Sequence, residues 1–386
     1  MKINDYRNIT FSGAYDDGEA LFVSSHIFNG MLKINKTTYQ AEYVCMFKEN
    51  KTDEFLLHYK VVRYGEYFVF VPNNAKGLYL YHLEEGRMSY HPIDKKEAER
   101  TRCVSYALKD NKLWLFYAFA EHPAVIFDLD TFEIEYFYGI VNSLPKEISA
   151  RKKMAGFWSD FTQNNTKVYG VVWKSSYFVE IDLEKKEVQI YDLMCDNIQL
   201  SAIACDGETL WLVDANKKLV IKWNKTRGIV GKYQTDEKFL VSRSFYCNIM
   251  CCNSKVIILF DDSNSVFCVN EKQESIEVLC QLPEGFAGFE GGRKQWRRFF
   301  NYDLIGNVIR IYPTNANMML EIDVESSSVK GYQYLLDAKY DEDWYQNTII
   351  NPYFREVFQD NRFIESIDVS LKEYLRYVMS MDGKND

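Results

Sequence analysis

Seven times along this chain a residue suited to a tight turn is followed, at a fixed distance, by a second turn-former. That spacing restricts the possible folds more than any other feature. The openers are Gly18, Gly65, Asn111, Asn165, Gly207, Asn253 and Gly306, and the closers are Asn35, His82, Asp128, Asp182, Asn224, Asn270 and Asp323. Each closer lies 17 positions after its opener, whereas successive openers are 42 to 54 apart. A rigid unit with variable connections is a structural repeat. Gly and Asn accept the positive φ of a tight turn, and an Asp or Asn side chain accepts hydrogen bonds from backbone two residues on. His82 is expected to serve the same turn duty. Between opener and closer run two apolar strands. The first carries Leu21, Phe68, Trp114, Val168, Leu210, Val256 or Ile309, and the second Ile34, Tyr81, Phe127, Ile181, Trp223, Val269 or Ile322. Strands this continuously apolar belong to a sheet covered on both faces.

A third strand precedes each opener, at residues 11–15, 57–62, 104–108, 157–161, 200–205, 245–250 and 299–304. A fourth follows each closer, at residues 40–47, 88–93, 134–140, 188–193, 228–233, 276–282 and 329–335. Four short strands in each repeat of about 46 residues is the signature of a propeller blade. The expected fold is all-β: a seven-bladed β-propeller of four-stranded antiparallel blades over residues 1–335, with a short helical C-terminal tail. Blades are placed at about 10–47, 57–93, 102–140, 157–193, 199–233, 244–282 and 298–335. The tail, 336–386, is read as partly helical and packed on the propeller. Pro352 marks a first helical turn, and Ser370 with Glu373 forms a capping box. The last repeat has its own fourth strand, so no exchange of strands between the termini is required. Residues 1–9 are expected to brace the junction of first and last blades.

Composition excludes some function classes. The net charge of −9 opposes nucleic acid and anionic membranes, so neither is expected as a partner. No apolar run is long enough to span a bilayer, and the first residues carry no apolar stretch like a secretory signal. Nine cysteines, an odd number without a CxxC pair, read as small buried hydrophobes in a reducing compartment, which points to the cytoplasm.

No catalytic motif is present: there is no GxSxG, P-loop, HExxH or GxGxxG. The five histidines are scattered, with His26 and His122 both between second and third strands but in different blades, and neither a metal nor a cofactor is expected. The suggestive positions lie on the innermost strands. Counting back five residues from each opener gives Gly13, Lys60, Tyr106, Asp160, Ala202, Asn248 and Asn301. Radial symmetry would arrange these around an axial channel, where they either hold water or form a ligand or catalytic ring. Trp173, Asp214, Asp261 and Asp262 are expected on a rim above it, with Arg293, Lys294, Trp296, Arg297 and Arg298. Both long connections, 141–156 and 283–298, emerge at that end, opposite the constrained turns. Loops on a rigid scaffold are where binding usually resides. The expected partner is a protein or a small polar ligand, peptide or glycan, on this loop-bearing face.

The repeated pattern of Leu210-Trp211-Leu212-Val213-Asp214 followed by Leu219-Val220 and Asn224 resembles the broad group of seven-bladed β-propellers with unspecialised blades, over residues 10–335. It lacks the Trp-Asp and Gly-His marks of WD40 repeats and the paired glycines of kelch. Proteins of this architecture include interaction scaffolds, sugar and peptide hydrolases, and metal-dependent lyases, so fold alone does not license a reaction. The absence of motifs leans away from an enzyme. The preferred expectation is a non-catalytic binding module or protein-interaction scaffold. The alternative is a hydrolase or lyase acting on a glycan or peptide at the channel mouth through Lys60, Tyr106 and Asp160.

Overall fold

The computed structural model describes residues 7, 9–26, 28–52, 54, 56–93, 102–119, 121–149, 156–157, 161–195, 197–235, 246–261, 263–283, 299–313, 316–359 and 371–382. Strands β1 (Phe11–Asp16), β2 (Ala20–Ser25), β3 (Met31–Asn35) and β4 (Gln40–Cys45) form an antiparallel meander, and the same arrangement recurs along the chain. It returns from β5 (His58–Tyr64) to β8 (Arg87–Pro92), from β9 (Cys103–Lys109) to β12 (Ile134–Phe137), and from β13 (Thr162–Asn164) to β16 (Glu187–Asp192). It ends with β25 (Phe299–Ile305), β26 (Val308–Pro313), β27 (Met318–Asp323) and β28 (Ser328–Gln333). Between these lies an eight-stranded sheet. In it, the meander from β17 (Ala202–Asp206) to β20 (Gly228–Gln234) joins that from β21 (Cys247–Cys252) to β24 (Ser275–Gln281) through one parallel pair, Gln234 with Ser275. The leading strands lie side by side, β1 between β5 and β25 and β21 between β17 and β25, so the last sheet meets the first. The architecture is a β-propeller of four-stranded antiparallel blades with short C-terminal helices.

The constant spacing has a visible cause. The backbone N–H just after the closer donates to the carbonyl just after the opener: Lys36 to Glu19 at 3.2 Å, Leu83 to Glu66 at 3.0 Å, Leu183 to Thr166 at 2.8 Å and Val324 to Asn307 at 3.0 Å. Each closer's side chain then accepts from the next turn, as Asn35 does from Thr37 (2.8 Å) and Asp323 from Glu325 (2.9 Å). His82 does so through Nδ1, from the Glu85 N–H at 3.2 Å. Four residues past every closer the backbone is left-handed, at Tyr39, Gly86, Phe132, Lys186, Gly228, Glu274 and Ser327. Only two of these are glycine, so composition does not reveal the position.

The third repeat departs from the frame. Its left-handed turn residue is Asp110 (φ 54°), not Asn111, so Asn111 stands one place late relative to Gly65 or Gly306. The innermost strand expected at 157–161 begins only at Thr162, with 158–160 outside the described residues. The strand expected at 134–140 stops at Phe137, and the connection starts as two short helices, α1 (Gly139–Ser143) and α2 (Lys146–Ser149). Ile140, Leu144 and Ile148, spaced four apart, drop one apolar row into the core between the third and fourth sheets. Part of this connection is therefore packed structure rather than open loop.

A two-residue strand, β29 (Leu335–Leu336), closes the ring by running parallel to β4 on the outer edge of the first sheet. Arg7 clasps it: the Leu336 N–H donates to the Arg7 carbonyl at 2.8 Å, and Arg7 Nε donates to the Leu336 carbonyl at 3.0 Å. The tail then turns helical earlier than expected, at α3 (Glu342–Tyr345), capped by the Asp341 carboxylate on the Trp344 N–H. A π-helical turn at Gln346–Ile350 leads into α4 (Asn351–Gln359), and α5 (Leu371–Asp382) follows. The widened turn comes just before Pro352, which has no N–H to give to a regular helix. Tyr345, Ile349, Tyr353, Phe354 and Val357 bury themselves with Phe11, Phe28 and Tyr334 of the first and last sheets. Among the described residues no helix is long and apolar enough to cross a membrane.

Candidate functional site

The leading strands place a polar cluster on the propeller axis. Gly13 on β1 lies so close to β5 that a Cβ there would stand 2.6 Å from Lys60 Cα and 2.7 Å from the Tyr59 carbonyl. Its missing side chain lets β5 and β25 reach each other across β1. Lys60 Nζ donates to Asn301 Oδ1 (3.1 Å), to the Tyr302 carbonyl (3.0 Å) and to the Asp303 carboxylate. Asn301 Nδ2 returns a bond to the Tyr59 carbonyl. An ammonium has three N–H groups, so these acceptors match its donors. The Tyr312 hydroxyl donates to the other Asp303 oxygen at 2.8 Å. Burial, reinforced by the Asp303 charge, holds that phenol well above its ordinary pKa.

Beside this cluster is a cavity of about 360 Å³, with Lys60, Tyr106, Phe161, Gln163, Asn301 and Asp303 in its wall. Gln163 and Leu304, two positions before their turns and both exposed, place it in the half of the channel nearest the opener turns. Of the positions expected on a ring, Lys60, Tyr106 and Asn301 are brought together, with Gly13 beneath Lys60. Asn248 and Ala202 are buried on β21 and β17 and do not line the cavity. Asp160 lies outside the described residues. Because the third repeat is offset, the residue in register with Lys60 and Asn301 is Ser105, and both Ser105 and Tyr106 line the cavity. Asp303 was not anticipated from sequence. It sits two residues after Asn301 on the same strand face, where period-two alternation could have found it.

At the opposite, loop-bearing mouth, Trp173 leaves β14 (Lys167–Val171) and stacks on Tyr246, with centroids 6.0 Å apart and planes at 18°. Lys174 Nζ stands 4.3 Å over the Trp173 ring. Burial lowers the pKa of Arg102, while the Tyr246 hydroxyl acts in the opposite direction. Asp214, expected on this rim, is instead fully buried. Its carboxylate accepts from the Gln199 N–H (3.0 Å) and the Lys217 N–H (3.1 Å), so it shapes the turn between its strands. Arg293, Lys294, Trp296, Arg297, Arg298 and Asp262 lie outside the described residues.

No three His, Cys, Asp or Glu side chains gather into a metal-sized group among the described residues. His122 stands beside Phe119 and Glu121. All nine cysteines are free thiols. Burial pushes Cys103 and Cys251 up to about 12 and Cys45 and Cys205 up to about 11, which suppresses the reactive thiolate.

No family profile matches the chain, and no curated protein matches its sequence. Solved structures do resemble it. Virginiamycin B lyase from Staphylococcus aureus aligns with a TM-score of 0.56 at 10% identity, over 81% of this chain and 94% of that one. A streptogramin B lyase gives 0.56 at 10% identity over 84% and 94%. The WD40 repeats of RRP9 give 0.54 at 10% identity over 79% and 88%. One group is catalytic and the other a repeat domain, so at these identities the similarity is one of architecture: the chain has the β-propeller fold.

Proposed function

We propose that the protein is a non-catalytic binding module built on seven blades, the eight-stranded sheet counting as two blades that touch edge to edge. A single parallel pair joins its halves, and each half holds one complete opener–closer frame. One observation carries the preference for binding over catalysis. Lys60, the amine expected to do chemistry with Tyr106 and Asp160, is instead engaged in tying the second blade to the last, its ammonium donating to Asn301, the Tyr302 carbonyl and Asp303. A general base or nucleophilic amine needs a lone pair that such an arrangement denies. The partner is placed on the loop-bearing face. Support comes from the Trp173–Tyr246 stack with Lys174 above it, since aromatic and cationic side chains dominate binding hot spots. Nine free thiols support residence in a reducing compartment.

The test presents immobilised protein to arrays of peptides and glycans and repeats each positive with Trp173→Ala. Saturable binding that weakens about tenfold in the variant, with melting temperature unchanged, is the expected result. Product released from an arrayed peptide or glycan by the wild type, and abolished by a stably folded Lys60→Met, would replace this reading with a hydrolase or lyase at the channel.

A further inference from the structure

The cavity at the other end of the channel has a chemistry of its own and does not depend on the loop-bearing face. We infer that it is a binding site for an uncharged saccharide unit, a free monosaccharide or the end of a neutral oligosaccharide. Its size, about 360 Å³, falls within the usual range for small-molecule sites. Among the described residues of its wall the charges are Lys60 and Asp303, which are bound to each other and together contribute no net charge. An ionic ligand entering this partly enclosed space would lose hydration without gaining a counter-charge.

Beyond that pair, the described polar side chains of the wall are neutral. The Ser105 oxygen accepts the Phe161 N–H at 2.8 Å and still has its O–H to donate. Gln163 Nε2 donates to the Leu108 carbonyl (3.2 Å) and the Asn165 carbonyl (3.0 Å), which fixes the amide and leaves its carbonyl as an acceptor. Between them the wall is aromatic and aliphatic, with Tyr106 against Tyr59 edge to face at 6.3 Å and Leu304, 46% exposed, at the rim. A pyranose presents hydroxyls around its edge and C–H groups on its faces. Hydrogen-bonding groups set between aromatic and aliphatic surface complement both.

Saturation-transfer NMR with the full chain tests this, using the methyl pyranosides of glucose, galactose, mannose and N-acetylglucosamine, with glucuronate and glucosamine as charged probes. At least one neutral pyranoside should receive transfer and the charged probes should receive less. Leu304→Trp, which plugs the rim, should abolish the signal, and Gln163→Leu should weaken affinity about fivefold through the lost acceptor. Met194→Ala, on an 86% exposed residue at the loop-bearing end, should change nothing. The inference is overturned if no neutral pyranoside responds, if a charged probe binds as well, or if transfer survives Leu304→Trp. Should Leu304→Trp lower the melting temperature, the exposed Gln163→Leu decides alone, and unchanged affinity there overturns it. None of these outcomes bears on a partner at Trp173, so the two readings stand or fall separately.

Discussion

The seam between the first and last sheets and the junction between β17–β20 and β21–β24 solve one packing problem by different means. At the internal junction Ala204, Trp211, Val213, Val220, Ile249, Ile258, Phe260 and Ile276 share one apolar core, with the Lys222–Glu271 ion pair at its exposed edge and Ser201 within 3.7 Å of Cys247. The seam has an apolar core too, but the charged links across it are more numerous and less exposed. Arg310 on β26 donates to the Asp16 carboxylate on β1 and to Glu321 Oε1 at 2.6 Å, while Lys36 donates to Asp16 at 2.8 Å. Lys60 reaches Asn301 and Asp303, Arg7 clasps β29, and the Tyr340 hydroxyl donates to the Tyr43 carbonyl at 3.2 Å. Neighbouring sheets joined by a short stretch of chain meet at small entropic cost. The first and last sheets have no such tether, and apolar contact is non-directional. Hydrogen bonds and buried ion pairs supply the missing registry, a role in which buried polar groups are best attested. Exposed pairs such as Lys339–Glu42 add little by comparison.

The contrast can be broken most directly at Arg310, whose side chain is 10% exposed. Arg310→Met takes the guanidinium from Glu321 and leaves Asp16 held by Lys36 and the Gly18 N–H, and should cost about 2–3 kcal/mol, whereas Ile258→Val at the internal junction should cost only about 1 kcal/mol. Chemical denaturation of both variants checks this, and equal losses would remove the distinction. pH separates the seam from its neighbourhood next. Burial pushes His58 down to about 3 from 6.5, so below 6.5 the unfolded chain takes a proton that the folded protein refuses. Stability should fall by about 1.4 kcal/mol per pH unit as pH drops from 6.5 towards 3. Burial alone would raise Asp16, but the Lys36 hydrogen bond, the Gly18 N–H and Arg310 outweigh it and hold the carboxyl below 3.8. Its contribution is complete above 3.8 and is lost only as pH falls further. Melts between pH 6.5 and 4.5 should therefore slope in the wild type and flatten in His58→Gln, and a slope that persists in the variant would implicate other groups.

A smaller break comes from Gly13→Ala. The new methyl would press on the backbone of Lys60 and Tyr59, which cannot swing aside as a side-chain end could. The expected loss is about 1–3 kcal/mol, and denaturation should find it unchanged in the Lys60→Met background only if the clash, not the tether, is responsible. The smallest change sharpens the comparison from outside it. Glu274, at φ 51°, occupies the left-handed turn position that Gly86 and Gly228 fill elsewhere. Glu274→Gly should raise stability by up to about 1 kcal/mol, part of the relief being offset by the freer unfolded chain. A loss instead would show that its charge matters more than its backbone.

The strand–turn units were legible in sequence because turn residues and apolar runs act within a few residues of one another. His82 is the instructive case: an unlike residue in a position occupied elsewhere by Asp and Asn performs the same backbone capping. The third repeat was not legible. A count from Asn111 cannot tell which of two adjacent polar residues, Asp110 or Asn111, takes the left-handed conformation. That one-place difference separated Tyr106 from Ser105. In the candidate site, Lys60, Tyr106 and Asn301 could be nominated from their common register. Asp303 and Gln163 could not be nominated by a rule that inspected one position per strand.

By itself, then, the sequence determined the repeating antiparallel strands, their turns and the apolar faces that must be covered on both sides, since each depends on contacts within about twenty residues. The partner that Lys60 finds 243 positions away, the pairing of Leu335 and Leu336 with β4, and the cavity beside Tyr106 were decided only by tertiary structure. Closing a ring brings together residues whose separation along the chain carries no local signal. The space left between leading strands depends on how closely they pack, as the gap at Gly13 shows.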